Sequence, residues 1–325
     1  MTLLINILLL LVGFVALIKG ADLFVDGSSS LAKIFKVPGV IIGLTIVAMG
    51  TSAPELAVSV SAAIKGSNEI AMSNVIGSNI FNLLSVLGVC ALIHPLPVDK
   101  AIMKRDFPIL MGITALIFLG LAVPALSSGN LNGARMADNV SLMSRPYGIV
   151  LLLIFIAYLS MLIISALKNP HEEEGGKSQP LWKCIIFIII GLICIVKGGD
   201  FVVNGAKYIA STFGMSETLI GLTIVAVGTS LPELVTSIVA SRKGQNDLAA
   251  GNVVGSNIFN FLLILGSSSA IHPIAVNLAS LTDLAILMVL NIIVFAFAKT
   301  QNISRVEGGI LVAIYVSHVI FAILR

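Results

Sequence analysis

Residues 43 to 55 read GLTIVAMGTSAPE, and residues 221 to 233 read GLTIVAVGTSLPE. The copies lie 178 positions apart, and each sets a glutamate, Glu55 or Glu233, deep in apolar sequence. A carboxylate at bilayer depth costs free energy unless it has a partner and a task, so it is read as functional by default. No Lys or Arg lies in either apolar run to neutralise it. Matched glutamates in matched segments point to one ion site built from two halves.

The surroundings are those of a membrane chain. Of its 325 residues 57% are hydrophobic and only 11% charged, more apolar surface than a water-soluble domain needs. The fold class expected is an all-α polytopic membrane protein. A span needs about 20 mostly apolar residues, and ten fit, at roughly 3–19, 38–64, 70–93, 107–125, 147–167, 181–198, 215–241, 247–271, 282–298 and 306–324. The first run has no basic residue before it and is long enough to span, so it reads as a retained helix rather than a signal peptide. A net charge of +3 gives no ground for a nucleic-acid partner. Cys90, Cys184 and Cys194 are scattered through apolar runs and read as small core residues. Asn139-Val-Ser and Asn302-Ile-Ser match the glycosylation pattern at a frequency chance supplies.

One clearly hydrophilic linker, KNPHEEEGGKSQP at 168–180, divides the chain into a first repeat at 1–167 and a second at 181–325. Its three glutamates lack the spaced ligands of a calcium loop and read as a solvated connector. Placing the amino terminus outside puts thirteen Lys and Arg in cytoplasmic loops against six outside. That bias favours both termini outside and the central loop in the cytoplasm of a cell membrane. Lys197 and Lys207 fall on the disfavoured side.

The 178-residue offset holds beyond the first motif. Gly13 matches Gly191, Lys19 matches Lys197, Asp22 matches Asp200 and Gly27 matches Gly205. NVIGSNIF at 74–81 matches NVVGSNIF at 252–259, and His94-Pro95 matches His272-Pro273. Five predicted helices separate equivalent points. Five is odd, so the second copy enters the membrane from the opposite side. Two inverted-topology five-helix repeats result, with substrate sites expected near the midplane at their interface.

Pro54 has no N–H, so the carbonyl four residues before it loses its helical partner and the turn opens. Broken backbone at membrane depth is tolerated where it lines a cavity or is buried in protein. The break predicts oxygen ligands: carbonyls near Ala48, with Thr51, Ser52 and Glu55. The second copy repeats them as Ala226, Thr229, Ser230 and Glu233, so helices 2 and 7 are the broken ones. Asn74, Ser78 and Asn82 recur every four residues on the next helix, as do Asn252, Ser256 and Asn260, and each set shares one face. Hard oxygen ligands suit Na+, Ca2+, Mg2+ or Mn2+ and disfavour Zn2+ and Cu+. A lone Ser, Thr or Asn in a membrane helix also serves as interhelical glue. Asp22 and Asp200, beside Lys19 and Lys197, read as helix-end residues, and His94 and His272 as boundary residues.

The paired GTSxPE and GSNIFN motifs resemble the alpha repeats of the sodium/calcium exchanger family, within the calcium:cation antiporters. The resemblance covers about the whole chain and is closest to the compact prokaryotic members. It implies four cation positions in a diamond. Glu55 and Glu233 are the shared central carboxylates, with Ca2+ between them and the carbonyls of Thr51 and Thr229. Thr51, Ser52, Ser78 and the Ala48 carbonyl serve one Na+ position, and Ala226, Thr229, Ser230 and Ser256 its mirror image. Asn82 and Asn260 line the remaining position. It also implies that the first and sixth helices slide past a fixed core. Some relatives, including potassium-dependent ones, carry Asp where this chain has Asn260, so the site charge here is −2 and a K+ site is not expected.

The function that follows is electrogenic, K+-independent exchange of Na+ for Ca2+, with no cofactor and no partner beyond the transported cations and the bilayer. A cation/proton antiporter using the same glutamates is the alternative. A channel has no need of inverted symmetry. An intramembrane enzyme would need a nucleophile–base constellation that the sequence lacks.

Overall fold

The structure is a computed structural model and describes residues 2–66, 68–168, 179–214 and 226–324. Most of the linker (169–178), and the start of both the second motif and the expected seventh span at 215–241 (residues 215–225), lie outside the described residues. Among the described residues eight helices are long and apolar enough to cross a membrane, and the bent pair α2 (Gly39–Thr51) and α3 (Ala53–Ile64) raises the number to nine. The eight are α1 (Thr2–Phe35), α4 (Ile70–Ile93), α5 (Ile102–Ser127), α6 (Arg145–Lys168), α7 (Leu181–Thr212), α9 (Asn246–Ile271), α10 (Leu278–Ala298) and α11 (Arg305–Leu324). The short α8 (Leu231–Arg242) follows a helical turn at Ala226–Gly228.

Four short strands modify the all-helical expectation. β1 (Leu96–Pro97) pairs antiparallel with β4 (Asn302–Ile303), and β2 (Asn139–Met143) with β3 (Ile274–Asn277). Each ties two distant interhelical loops together and pairs their backbone groups.

The core is formed by α4 and α9. In the most apolar stretch of α9 94% of the residues are buried, and in that of α4 78%, against 17% for α1 and 28% for α7. Those two long helices pack mainly on each other, antiparallel. A Cβ on Gly13 would stand 2.8 Å from the Gly198 carbonyl, and one on Gly20 2.8 Å from the Gly191 carbonyl. Gly27 approaches the Cys184 carbonyl and Gly205 the Asn6 carbonyl equally closely, each at 2.8 Å. Glycines seven residues apart on both partners thus line one seam. Only a residue without a side chain lets the backbones meet there, as small-residue packing in membranes requires.

This seam corrects the expected ends of two helices. Apolar patterning breaks at Lys19 and Lys197, yet α1 continues to Phe35 and α7 to Thr212. Asp22 and Asp200 therefore lie inside helices rather than at their ends. The charges are accommodated by pairing. Lys19 lies 4.0 Å from Asp22 and Lys197 3.5 Å from Asp200. Lys243, just past α8, reaches Asp22 at 3.2 Å and Asp26 at 2.8 Å.

A further ion pair, its carboxylate fully buried, went unread in the sequence. Arg105 Nε donates to Asp106 Oδ1 at 2.9 Å, and Tyr158 donates to the same oxygen at 3.1 Å. Arg105 is thus drawn into a π-helical turn at Ile102–Asp106, the start of α5, and bridges to α6 through Ser165. Cys90 and Cys184 are buried, Cys194 is half-buried, and all three are free.

Candidate functional site

The two proline motifs form the breaks their sequences predict. Between α2 and α3 the axis bends by 50°. The hinge is Ser52, at φ −83° and ψ 8°, and Pro54 occupies the first turn of α3. Before α8 the hinge is Ser230, at φ −95° and ψ 8°, followed by Pro232. A proline in a first turn removes no intrahelical hydrogen bond from its own helix. Glu55 and Glu233 therefore sit in the first turns of α3 and α8, where exposed N–H groups favour negative charge.

The breaks face each other. Glu55, Glu233, Thr51, Ser230, Asn82, Ser256 and Asn260 are fully buried, Ser52 and Ser78 nearly so. Ser52 Oγ donates to Glu233 Oε1 at 2.9 Å, and Ser230 Oγ donates to Glu55 Oε1 at 3.0 Å. Ser78 Oγ lies 3.5 Å from Glu55 Oε1, and Ser256 Oγ 3.5 Å from Glu233 Oε1. The second oxygen of each carboxylate, Oε2, is buried with no hydrogen-bond partner. Two uncompensated carboxylate oxygens in one buried site are costly, and they are the ligands a cation would meet.

Thr51 Oγ1 lies 3.0 Å from Asn252 Oδ1, and Thr229, only half-buried, has Asn74 Oδ1 at 3.5 Å. The halves differ at the expected carbonyl ligands. Ala48 O accepts the Ser52 N–H at 3.0 Å, whereas the equivalent N–H of Ser230 turns to Val227 O at 3.2 Å. Asn82 and Asn260 each open a π-helical turn, Asn82–Val86 and Asn260–Leu265, and each has a buried, unpartnered Oδ1.

Four further residues belong to this centre. Asn74 Nδ2 donates to Ser59 Oγ at 2.9 Å, and Asn252 Nδ2 to Ser237 Oγ at 3.0 Å, which ties each broken helix to the helix after it. Ser59 and Ser237 follow the glutamates by four residues, so helical spacing was the signal that could have found them. Asn79 and Asn257 lie inside the GSNIFN motifs and bond across the interface of α4 and α9. A cavity of about 220 Å³ beside α7 reaches both breaks, with Pro54, Gly199, Asp200, Asn204, Thr229 and Pro232 among its lining. Among the described residues no group of three or more His, Cys, Asp or Glu converges.

The family model described as sodium/calcium exchanger protein matches residues 5–164 and 183–324, one block in each half. The chain belongs to the sodium/calcium exchanger family. The sodium/calcium exchanger MaX1 of Methanosarcina acetivorans is 33% identical over 97% of this chain and 98% of its own. CaxA of Alkalimonas amylolytica is 40% identical over 95% of both chains. The solved structure of the sodium-calcium exchanger NCX_Mj superposes with a TM-score of 0.80 at 31% identity, over 99% of this chain and 100% of that one. The exchanger fold is thus shared end to end, and the compact type of family member expected from the sequence is the type found.

Proposed function

We propose that the chain is a secondary active antiporter that exchanges Na+ for Ca2+ across a cell membrane by alternating access. One observation carries the reading: Glu55 and Glu233, each fully buried, are cross-held by Ser230 and Ser52, and each keeps one unpaired oxygen. Such a centre holds a formal charge of −2 among hydroxyl and amide oxygens, a hard-cation donor set.

The ten-helix reading is supported by parity. β1 and β4 are paired, so their loops share one side of the membrane and an even number of crossings separates them. Five long helices, α5, α6, α7, α9 and α10, lie between them. The segment ending in α8 then supplies the sixth crossing. Between β2 and β3, the three helices α6, α7 and α9 need the same segment as a fourth. Inversion of the two halves is supported by the antiparallel seam of α1 and α7, which are equivalent helices.

Ca2+ binds between the glutamates. Thr51, Ser52, Ser78 and Ala48 serve one Na+ position, and Thr229, Ser230, Ser256 and Ala226 the other. Asn82 and Asn260 complete the centre. The cavity beside α7 is the access path on one side, and sliding of the α1–α7 pair opens the other. With two carboxylates and no third, exchange is electrogenic and independent of K+. The termini lie outside and the central loop in the cytoplasm.

The test is 45Ca2+ uptake into proteoliposomes loaded with Na+, against liposomes carrying only a pH gradient. Uptake driven by the Na+ gradient supports the reading. Uptake driven by the pH gradient alone replaces it with proton exchange through the same carboxylates.

A further inference from the structure

We infer that Asn79 and Asn257 are positioning residues that set the amide orientation of Asn82 and Asn260 and so aim two oxygens, rather than two NH2 groups, into the ion site. The inference rests on the proposed ion site and goes beyond its ligands.

The argument starts from a group with no choice. A backbone carbonyl can only accept hydrogen bonds. Asn257 Nδ2 lies 3.2 Å from the Asn79 carbonyl, and Asn79 Nδ2 lies 3.3 Å from the Asn257 carbonyl. Each carbonyl therefore fixes which end of the opposite side-chain amide is nitrogen. That leaves Asn257 Oδ1 on the other side, where it too can only accept. Its neighbour there is Asn82 Nδ2, at 3.1 Å. Symmetrically, Asn79 Oδ1 receives Asn260 Nδ2 at 2.9 Å. With their NH2 groups taken, Asn82 and Asn260 must turn their Oδ1 atoms the other way. Those two oxygens are buried and have no hydrogen-bond partner.

All four asparagines are fully buried, so bulk solvent does not reach a flipped amide. A flip of Asn82 alone would set its Oδ1 against the Oδ1 of Asn257 and present two N–H donors to a cation. The four side chains and two carbonyls thus relay backbone polarity to a pair of ligand oxygens. The clasp is reciprocal: each half orients the amide of the other. Outer partners of metal ligands act in this way elsewhere, and their removal costs about 10- to 100-fold in affinity.

A carboxylate has two equivalent oxygens and needs no such orientation. The test is therefore a double-mutant cycle on the purified full-length protein, read as 45Ca2+ equilibrium binding and as KM for Ca2+ in proteoliposomes. Asn257→Ala should weaken Ca2+ binding by about 10-fold or more in the unmodified protein. In the Asn82→Asp background the same change should cost about twofold or less. Asn79→Ala with Asn260→Asp is the mirror cycle. Equal losses in both backgrounds mean that the clasp only packs the helices, and overturn the inference, as does no loss in either. If Glu55→Gln and Asn82→Asp also leave Ca2+ binding unaltered, the ion-site reading itself fails and the inference falls with it. Should the alanine variants not fold, asparagine labelled with 13C at Cγ in otherwise unmodified protein gives a second readout. On titration with CaCl2 without Na+, the side-chain carbonyl signals of Asn82 and Asn260 should shift and those of Asn79 and Asn257 should hold. Static signals from Asn82 and Asn260 while Ca2+ binds would overturn the orientation argument.

Discussion

Ser52 and Glu233 meet across the two halves of the chain, with the serine hydroxyl donating to Oε1 at 2.9 Å. The nearer carboxylate in sequence, Glu55, is held instead by Ser230 at 3.0 Å. Each glutamate thus depends on the opposite repeat, and neither repeat closes the centre alone. In the proposed ion site this cross-holding would tie cation binding to the relative placement of the two breaks.

Glu55→Gln and Glu233→Gln should each abolish Ca2+ exchange in protein that still folds. At a separation of about 4 Å and an effective dielectric of about 20, one lost charge removes about 4 kcal/mol from a monovalent cation. A divalent ion loses about twice that, so Ca2+ should suffer more than Na+. Purified variants are checked for a single gel-filtration peak and assayed for 45Ca2+ flux and for Na+ binding. Full exchange activity in either variant would remove the proposed site.

Asn260 is neutral and buried, so exchange should run at the same rate in Na+ media with and without K+. Asn260→Asp adds a third carboxylate and should introduce K+ sensitivity or stronger competition by protons. The measurement is Na+-driven 45Ca2+ flux with K+ replaced by choline. A strict K+ requirement of the unmodified protein contradicts this role for Asn260.

Exchange should move net charge. In the proposed site one Ca2+ would neutralise the two glutamates, whereas three Na+ would leave the centre at +1. A unit charge crossing the membrane is worth about 2.3 kcal/mol per 100 mV. Na+-driven Ca2+ uptake into proteoliposomes, clamped by K+ and valinomycin at several potentials, should vary steeply with voltage. A reversal point that stays fixed as the voltage changes would establish neutral two-for-one coupling instead.

Neighbouring glycines of α7 should respond in opposite ways to alanine. A Cβ at Gly198 would stand 2.8 Å from both the Gly13 carbonyl and the Leu17 nitrogen, while one at Gly199 meets nothing within 4 Å. Gly198→Ala should destabilise by about 1–3 kcal/mol through overpacking of the seam. Gly199→Ala should be neutral or stabilising by up to about 1 kcal/mol from helix propensity. Melting of the two purified variants in detergent compares them directly. A seam that tolerates Gly198→Ala without loss is not the close contact described.

Side-specific labelling tests orientation. Cysteines placed at the exposed Asn130 and Thr300 should react with an impermeant maleimide from opposite sides, Asn130 from outside and Thr300 from the cytoplasm. A cysteine at His272 should follow Asn130, because β2 and β3 bind those two loops together. The reverse pattern would turn the molecule over and leave its internal symmetry intact. Labelling of Asn130 and His272 from different sides would break the parity argument.

What the sequence by itself determined is local. Pro54 and Pro232 favour the breaks, because a residue without an N–H costs a helix interior a hydrogen bond but fits a first turn without loss. Four-residue spacing puts Asn74, Ser78 and Asn82 on one face, and the 178-residue offset repeats every such element in the second half. Tertiary structure decided which faces meet. The bonds Ser52–Glu233, Ser230–Glu55 and Asn260–Asn79 join residues 175 to 181 positions apart, and no periodicity within a helix encodes them. The same holds for α1 and α7, whose charged turns look like helix ends in the sequence but are accommodated by a glycine seam and by Lys243 from another segment. The physical reason is the solvent. Lipid is as apolar as a core leucine, so hydropathy marks a span without marking its inward side. That side is chosen where polar groups can satisfy one another, and only the assembled helices bring Asn79 to Asn257.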